Sequence, residues 1–161
     1  DAIALARRLL AVCHAHGAPL IINDSVELAL KIGADGVHLG RDDGDIAEAR
    51  KTLGDDAIIG VSCYNDVAKA ETAAAHGADY VAFGRFFPSG SKPLATSATI
   101  DTLRLARQRV EVPIVAIGGI LPDNGGQLLA AGADLLAVIG GLFDHDPSTA
   151  ARAFSELFNQ P

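Results

Sequence analysis

The chain has 161 residues, of which 49% are apolar and 20% charged, enough for one domain with a sizeable core. Its formal charge is −7 and its Lys and Arg form no cluster, which excludes a nucleic-acid groove or an anionic membrane surface as partner. The longest strongly apolar stretch, 112–121, falls far short of the roughly 20 residues that a membrane helix needs, and no signal peptide is visible.

The sequence opens in an amphipathic helix over 2–16, and because it begins at Asp1 rather than Met, an upstream segment is expected. Next comes the first of six short apolar runs, 20–22, ending in Asn23-Asp24. The others are 36–39 before Gly40-Arg41-Asp42-Asp43, 58–61 before Ser62, and 80–83 before Gly84-Arg85. The last two are 114–117 before Gly118-Gly119 and 136–139 before Gly140-Gly141. Continuous Val, Ile and Leu predict strands buried on both faces. The helical patterns between them, near 25–32, 45–53, 65–76, 98–109, 123–131 and 148–158, imply a parallel sheet.

Gly33-Ala34-Asp35, Gly77-Ala78-Asp79 and Gly132-Ala133-Asp134 each follow an alanine-rich helix and precede a strand, a repeat that supports the βα reading. The count is six strands and seven helices in one domain, 1–161. A closed (β/α)₈ barrel needs eight strands and about 200 to 250 residues, so about 50 residues would precede this chain. An open doubly wound sheet closes the account at six.

Cys13 and Cys63 have no metal-type neighbours, which fits a reducing cytoplasm without disulfides.

Function is expected where parallel strands end. Asp24 and Asp43 lie 19 residues apart, one βα unit, at the ends of neighbouring strands. Two carboxylates there suit Mg²⁺, which takes one or two and leaves its other positions to water and phosphate. The competing reading makes each the cap of the helix that follows. Gly118-Gly119 and Gly140-Gly141 let backbone N–H groups approach a phosphate, or simply turn the chain tightly. Lys92, beside Ser91 in the long polar connection 87–98, is a cation poised over the strand ends or a solvated loop residue. Ser62 lacks the sequence of a nucleophile elbow, so a positioning hydrogen bond is expected rather than covalent catalysis. His38, inside a predicted strand, reads as a satisfied core histidine. His14, His16, His76 and His145 read as helix-end or loop residues.

Taken in order, the strings 20–24, 33–40, 60–62, 84–88 with Ser91-Lys92, and 117–120 resemble the thiamine-phosphate synthase family over nearly the whole chain. The resemblance implies a TIM-type barrel, N-terminally truncated here. It implies that hydroxymethylpyrimidine diphosphate is joined to thiazole phosphate with release of pyrophosphate, through departure of the diphosphate before capture by the thiazole nitrogen. It implies Mg²⁺ on Asp24 and Asp43, with Asn23, Ser91 and Lys92 at the diphosphate. Ser62 would hold the pyrimidine or diphosphate, so the implied catalytic pair is Ser62 and Lys92. Gly118, Gly119 and the Ile139-Gly140 backbone would cradle the thiazole phosphate.

Three departures from the family pattern are visible. A Gln-x-Arg-x-Lys type motif of an earlier strand is absent, Gly140 stands where many relatives have serine, and Cys63-Tyr64 follows Ser62 where relatives often carry histidine. The last departure weakens a thiazole tautomerase of the same fold, and a non-catalytic phosphate-binding fragment is the other alternative. Some relatives are fused behind a Nudix-type hydrolase. Two exposed sheet edges lead us to expect self-association of the isolated chain.

Overall fold

The computed structural model describes residues 2–40, 44–88 and 97–159. After α1 (Ala2–Ala15) come β1 (Ile21–Asn23), α2 (Val26–Ile32), β2 (Gly36–Leu39), α3 (Ile46–Leu53), β3 (Ile58–Tyr64), α4 (Val67–Ala75) and β4 (Tyr80–Gly84). Then follow α5 (Ile100–Arg109), β5 (Ile114–Ile117), α6 (Pro122–Ala130), β6 (Leu135–Ala137), α7 (Gly140–Phe143) and α8 (Pro147–Leu157). Every neighbouring strand pair is parallel and the sheet order is β1-β2-β3-β4-β5-β6, so this is an α/β fold with sequential strands adjacent. Right-handed crossovers between adjacent parallel strands put all the connecting helices on one side of the sheet.

That topology corrects the expectation of strands buried on both faces. Val37, Ile59, Val81, Phe83, Ile114 and Ala116, which face the helices, are fully buried. On the opposite face Ile117 is 40% exposed and Leu135 48%, because no second layer covers it among the described residues. The helix count is corrected too, to eight among the described residues, since α7 was not foreseen. Gly140-Gly141 begins a single helical turn instead of an open loop. A Cβ on Gly141 would lie 2.3 Å from the Ile120 carbonyl oxygen, so only glycine lets the turn settle there. Accordingly β6 ends at Ala137, two residues before the expected end of its apolar run.

The amino-terminal end of the sheet repeats one device three times. In each Gly-Ala-Asp corner the aspartate carboxylate accepts a hydrogen bond from a backbone N–H of the preceding strand or its lead-in. The pairs are Leu20 to Asp35, Ile59 to Asp79 and Ile114 to Asp134, each at 2.7 Å. The aspartate's own N–H returns to the carbonyl of the same residue, at 3.1, 2.7 and 2.8 Å respectively, which closes a two-bond ring. A nitrogen-bearing side chain from the helix before the strand completes each corner: the His14 imidazole of α1 at 2.9 Å, the Arg50 guanidinium of α3 at 2.6 Å and the Arg107 guanidinium of α5 at 2.8 Å. His14, read from sequence as an uncommitted helix-end residue, is therefore part of the scaffold.

α1 leaves Leu5, Leu9 and Val12, spaced as one helical stripe, 56%, 47% and 59% exposed. No helix among the described residues is long and apolar enough to cross a membrane. Cys13 and Cys63 are both free, and burial pushes the Cys63 thiol up to about 12, which makes it inert packing.

Candidate active site

Among the described residues the carboxyl ends of the strands carry no such repeat. At the end of β1, Asp24 takes a left-handed backbone, φ 66°, which aspartate tolerates better than most side chains, and its N–H donates to the His38 carbonyl at 2.8 Å. The expectation that Asp24 caps α2 is not met. Ser25 is the cap, its Oγ accepting from Leu28 N–H at 3.1 Å. Likewise Asp45 caps α3 through Ala47 and Glu48 N–H, a role considered for Asp43. Asp43 itself lies outside the described residues, as do Ser91 and Lys92. With both helix starts satisfied by neighbours, capping no longer explains Asp24, and a carboxylate at a strand end suits a hard cation such as Mg²⁺. Among the described residues no group of three or more His, Cys, Asp and Glu converges as a metal cage.

One row of the sheet runs Asn23, His38, Gly60, Tyr80 across β1 to β4. Two residues beyond Gly60, Ser62 precedes a bulge: Ser62 pairs with Ala82 and Tyr64 with Phe83, so Cys63 is the extra residue and the strand is redirected there. The Ser62 hydroxyl meets His38 Nε2 at 2.8 Å, and His38 Nδ1 meets the Tyr80 hydroxyl at 2.9 Å. The imidazole and phenol rings also stack, with centroids 5.6 Å apart and planes at 26°. Burial raises Tyr80 to about 12, so the phenol keeps its proton at neutral pH. Reading His38 as a satisfied histidine was correct, but it is half-buried on the uncovered face rather than enclosed in the core.

Sequence reasoning assigned no role to His38 or Tyr80. A signal was present: the polar strand residues Asn23, His38, Ser62 and Tyr80 alternate with the buried apolar ones, which puts them on one face.

At the other side of the sheet, Gly118 and Gly119 have φ of 103° and 65°. A Cβ on Gly118 would lie 2.3 Å from Arg85 Cβ, and one on Gly119 2.4 Å from the Pro88 carbonyl oxygen. The pair thus admits the segment leaving β4, which is held by Phe86 N–H to the Ile117 carbonyl at 3.3 Å and Phe87 N–H to the Gly118 carbonyl at 3.1 Å. The connection returns where Ala98 N–H meets the Arg85 carbonyl at 2.9 Å. The long polar connection therefore leaves and rejoins the scaffold at the end of β4. Gly140 is not the equivalent of Gly118. Ile139 precedes the first turn of α7, whose earliest N–H groups have no carbonyl one turn back to bond.

Comparison with known proteins shows the family. Residues 1–142 match the family model described as thiamine monophosphate synthase. The chain belongs to the thiamine monophosphate synthase family. It is 56% identical over 154 residues to a thiamine-phosphate synthase of Nitrosococcus oceani, covering 95% of this chain and 71% of that protein. To the enzyme of Methylococcus capsulatus it is 52% identical, covering 96% and 69%. Among solved structures, thiamine phosphate pyrophosphorylase from Pyrococcus furiosus matches with a TM-score of 0.88 and 31% identity, over 98% of this chain and 75% of that one. A 3-hexulose-6-phosphate synthase, at 21% identity and a TM-score of 0.70, shares the fold. As a thiamine monophosphate synthase family member the chain is an enzyme of the transferase class, in thiamine biosynthesis.

Proposed function

We propose that the carboxyl-terminal rim of this sheet joins hydroxymethylpyrimidine diphosphate to thiazole phosphate, giving thiamine phosphate and pyrophosphate. One observation carries the site assignment: Asn23, Asp24, Ser62, Gly118, Gly119, Ile139 and Gly140 all lie at or just beyond the same end of six parallel strands. In this reading Asp24 and Asp43 hold Mg²⁺, supported at Asp24 by the transfer of the helix cap to Ser25. The ion, when bound, neutralises charge that grows on the departing diphosphate. Asn23 sits beside Asp24 and contacts the same diphosphate.

The reaction breaks the bond from the pyrimidine methylene carbon to the diphosphate oxygen and forms a bond from that carbon to the thiazole nitrogen. Pyrophosphate carries away the electron pair of the broken bond, so no strong general base is required. Ser62 orients the pyrimidine diphosphate with its hydroxyl. Lys92 and Ser91 reach the diphosphate from the connection whose two ends are anchored at Arg85 and Ala98, and the Lys92 ammonium offsets leaving-group charge. Gly118, Gly119 and the Ile139-Gly140 backbone take the thiazole phosphate. We read the sheet as six strands of an eight-stranded barrel, a reading supported by the uncovered face bearing Ile117 and Leu135 and by the α1 stripe. Free cysteines support a cytoplasmic setting.

The test is turnover of the two substrates, with and without Mg²⁺, on this chain and on a form preceded by the amino-terminal segment of a 56% identical relative. Mg²⁺-dependent product from the extended form is the expected result. Thiazole-phosphate binding without product from either form would move the assignment to a non-catalytic phosphate-binding fragment.

A further inference from the structure

Three adjacent strands each contribute one member of a hydrogen-bonded chain on the uncovered face: Tyr80 of β4, His38 of β2 and Ser62 of β3. β3 lies between the other two strands, so Tyr80 must cross it to reach His38. It crosses at Gly60, in register with both. A Cβ there would lie 1.9 Å from Tyr80 Cζ and 2.3 Å from its hydroxyl oxygen. Any side chain at position 60 would therefore evict the phenol, and the missing one is a requirement of the Tyr80–His38 contact. Cys63, the extra residue of the bulge, begins the redirection of β3 immediately after Ser62.

A neutral imidazole has one donor and one acceptor nitrogen, so the chain has a direction. A phenol is a better donor than an aliphatic hydroxyl. When its O–H donates a hydrogen bond to Nδ1, Nε2–H is left to donate to the Ser62 oxygen. In that direction the Ser62 O–H is not used by His38 and can donate to an acceptor in the site. The opposite direction would consume the Ser62 proton inside the protein and leave the serine an acceptor only.

We propose that Tyr80 and His38 are positioning residues that polarise Ser62 into a hydrogen-bond donor toward an acceptor atom of the substrate, through the sequence Tyr80 O–H to His38 Nδ1 and His38 Nε2–H to Ser62. The proposal rests on the reading of Ser62 as a substrate contact, but the direction of the chain can be measured without substrate. Nitrogen-15 NMR of the imidazoles, with the His38 signal assigned through His38→Gln, reports which ring nitrogen carries the proton. The expected result is a proton on Nε2 and none on Nδ1. A ring protonated at Nδ1 overturns the proposal.

The kinetic half uses the active, extended form and a double-mutant cycle. Tyr80→Phe removes one hydroxyl and is expected to lower kcat/KM for the pyrimidine diphosphate severalfold, an effect that disappears in a Ser62→Ala background. His38→Gln, whose amide can accept from Tyr80 and donate to Ser62, should retain more activity than His38→Leu. Additive losses from Tyr80→Phe and Ser62→Ala would show that Tyr80 only packs, and would overturn the relay while leaving Ser62 as a contact. No loss from Ser62→Ala would remove Ser62 from the site, which is failure of the functional reading and is distinct from the NMR result.

Discussion

The two ends of the same six strands are built on opposite principles. At the amino-terminal end Asp35, Asp79 and Asp134 solve one problem in one way, each closing a ring with the backbone of a strand or its lead-in and drawing an imidazole or guanidinium nitrogen from the odd-numbered helix before that strand. Their polar groups are spent within the protein. At the carboxyl-terminal end, among the described residues, no two strands finish alike: a left-handed aspartate after β1, a histidine in β2, a bulge in β3, an Arg85 carbonyl that accepts from Ala98 N–H after β4, left-handed glycines after β5 and a helical turn after β6. Repetition is what stability asks of a βα unit, because every unit must turn the same corner. Variety is what a ligand asks, because each part of it needs a different donor or charge.

The comparison breaks most visibly if a change at one end has the consequence of the other. Asp24→Asn keeps a side chain that tolerates the left-handed φ of 66° but removes the charge. In the active form it is expected to lower turnover more than tenfold, equivalent to about 1.4 kcal/mol or more, and to raise the Mg²⁺ concentration required, with the melting temperature unchanged. Unaltered kinetics across a Mg²⁺ titration would refute the metal assignment.

Asp134→Ala is the converse. It strands the Ile114 N–H, leaves Arg107 with only its backbone carbonyl partners, and should cost about 1–3 kcal/mol, seen as a melting temperature several degrees lower. The Mg²⁺ requirement and KM values of the folded fraction should not move. A catalytic defect without a stability defect would show that the two ends are not separable.

The smallest effect sharpens the comparison within the repeat itself. The Leu20 N–H, and then the His14 side chain, hold the Asp35 carboxyl below its ordinary value of 3.8. A depressed folded-state pKa means that the contribution is complete above the unfolded value and disappears as pH falls through the folded one. The stability gap between the parent and Asp35→Asn, followed by denaturant titration, should therefore be constant near neutrality and shrink below about pH 4. A gap that persists to pH 2 would contradict an ionised Asp35 in that corner.

Much of the scaffold was legible in the sequence because its causes are local. Apolar runs of strand length, alanine-rich helices and glycine corners each act within a few residues, so six parallel strands and their connecting helices could be read directly. The strand ends followed, and with them Asn23, Asp24, Ser62 and the Gly118-Gly119 pair. What the sequence could not supply was partnership across strands. Whether Asp24 or Ser25 caps α2 depends on how the chain leaves β1. Whether Gly118 serves a ligand or the approach of Arg85 depends on a segment more than thirty residues away in sequence. The helical turn at Gly140 follows from the Ile120 carbonyl beneath Gly141, and the Tyr80–His38–Ser62 chain from a register that sets Gly60 between the two rings. Periodicity along one strand determines which face a side chain takes. Only packing of several strands determines what it meets there, because hydrogen bonds and steric gaps of 2 to 3 Å depend on residues that sequence distance does not relate.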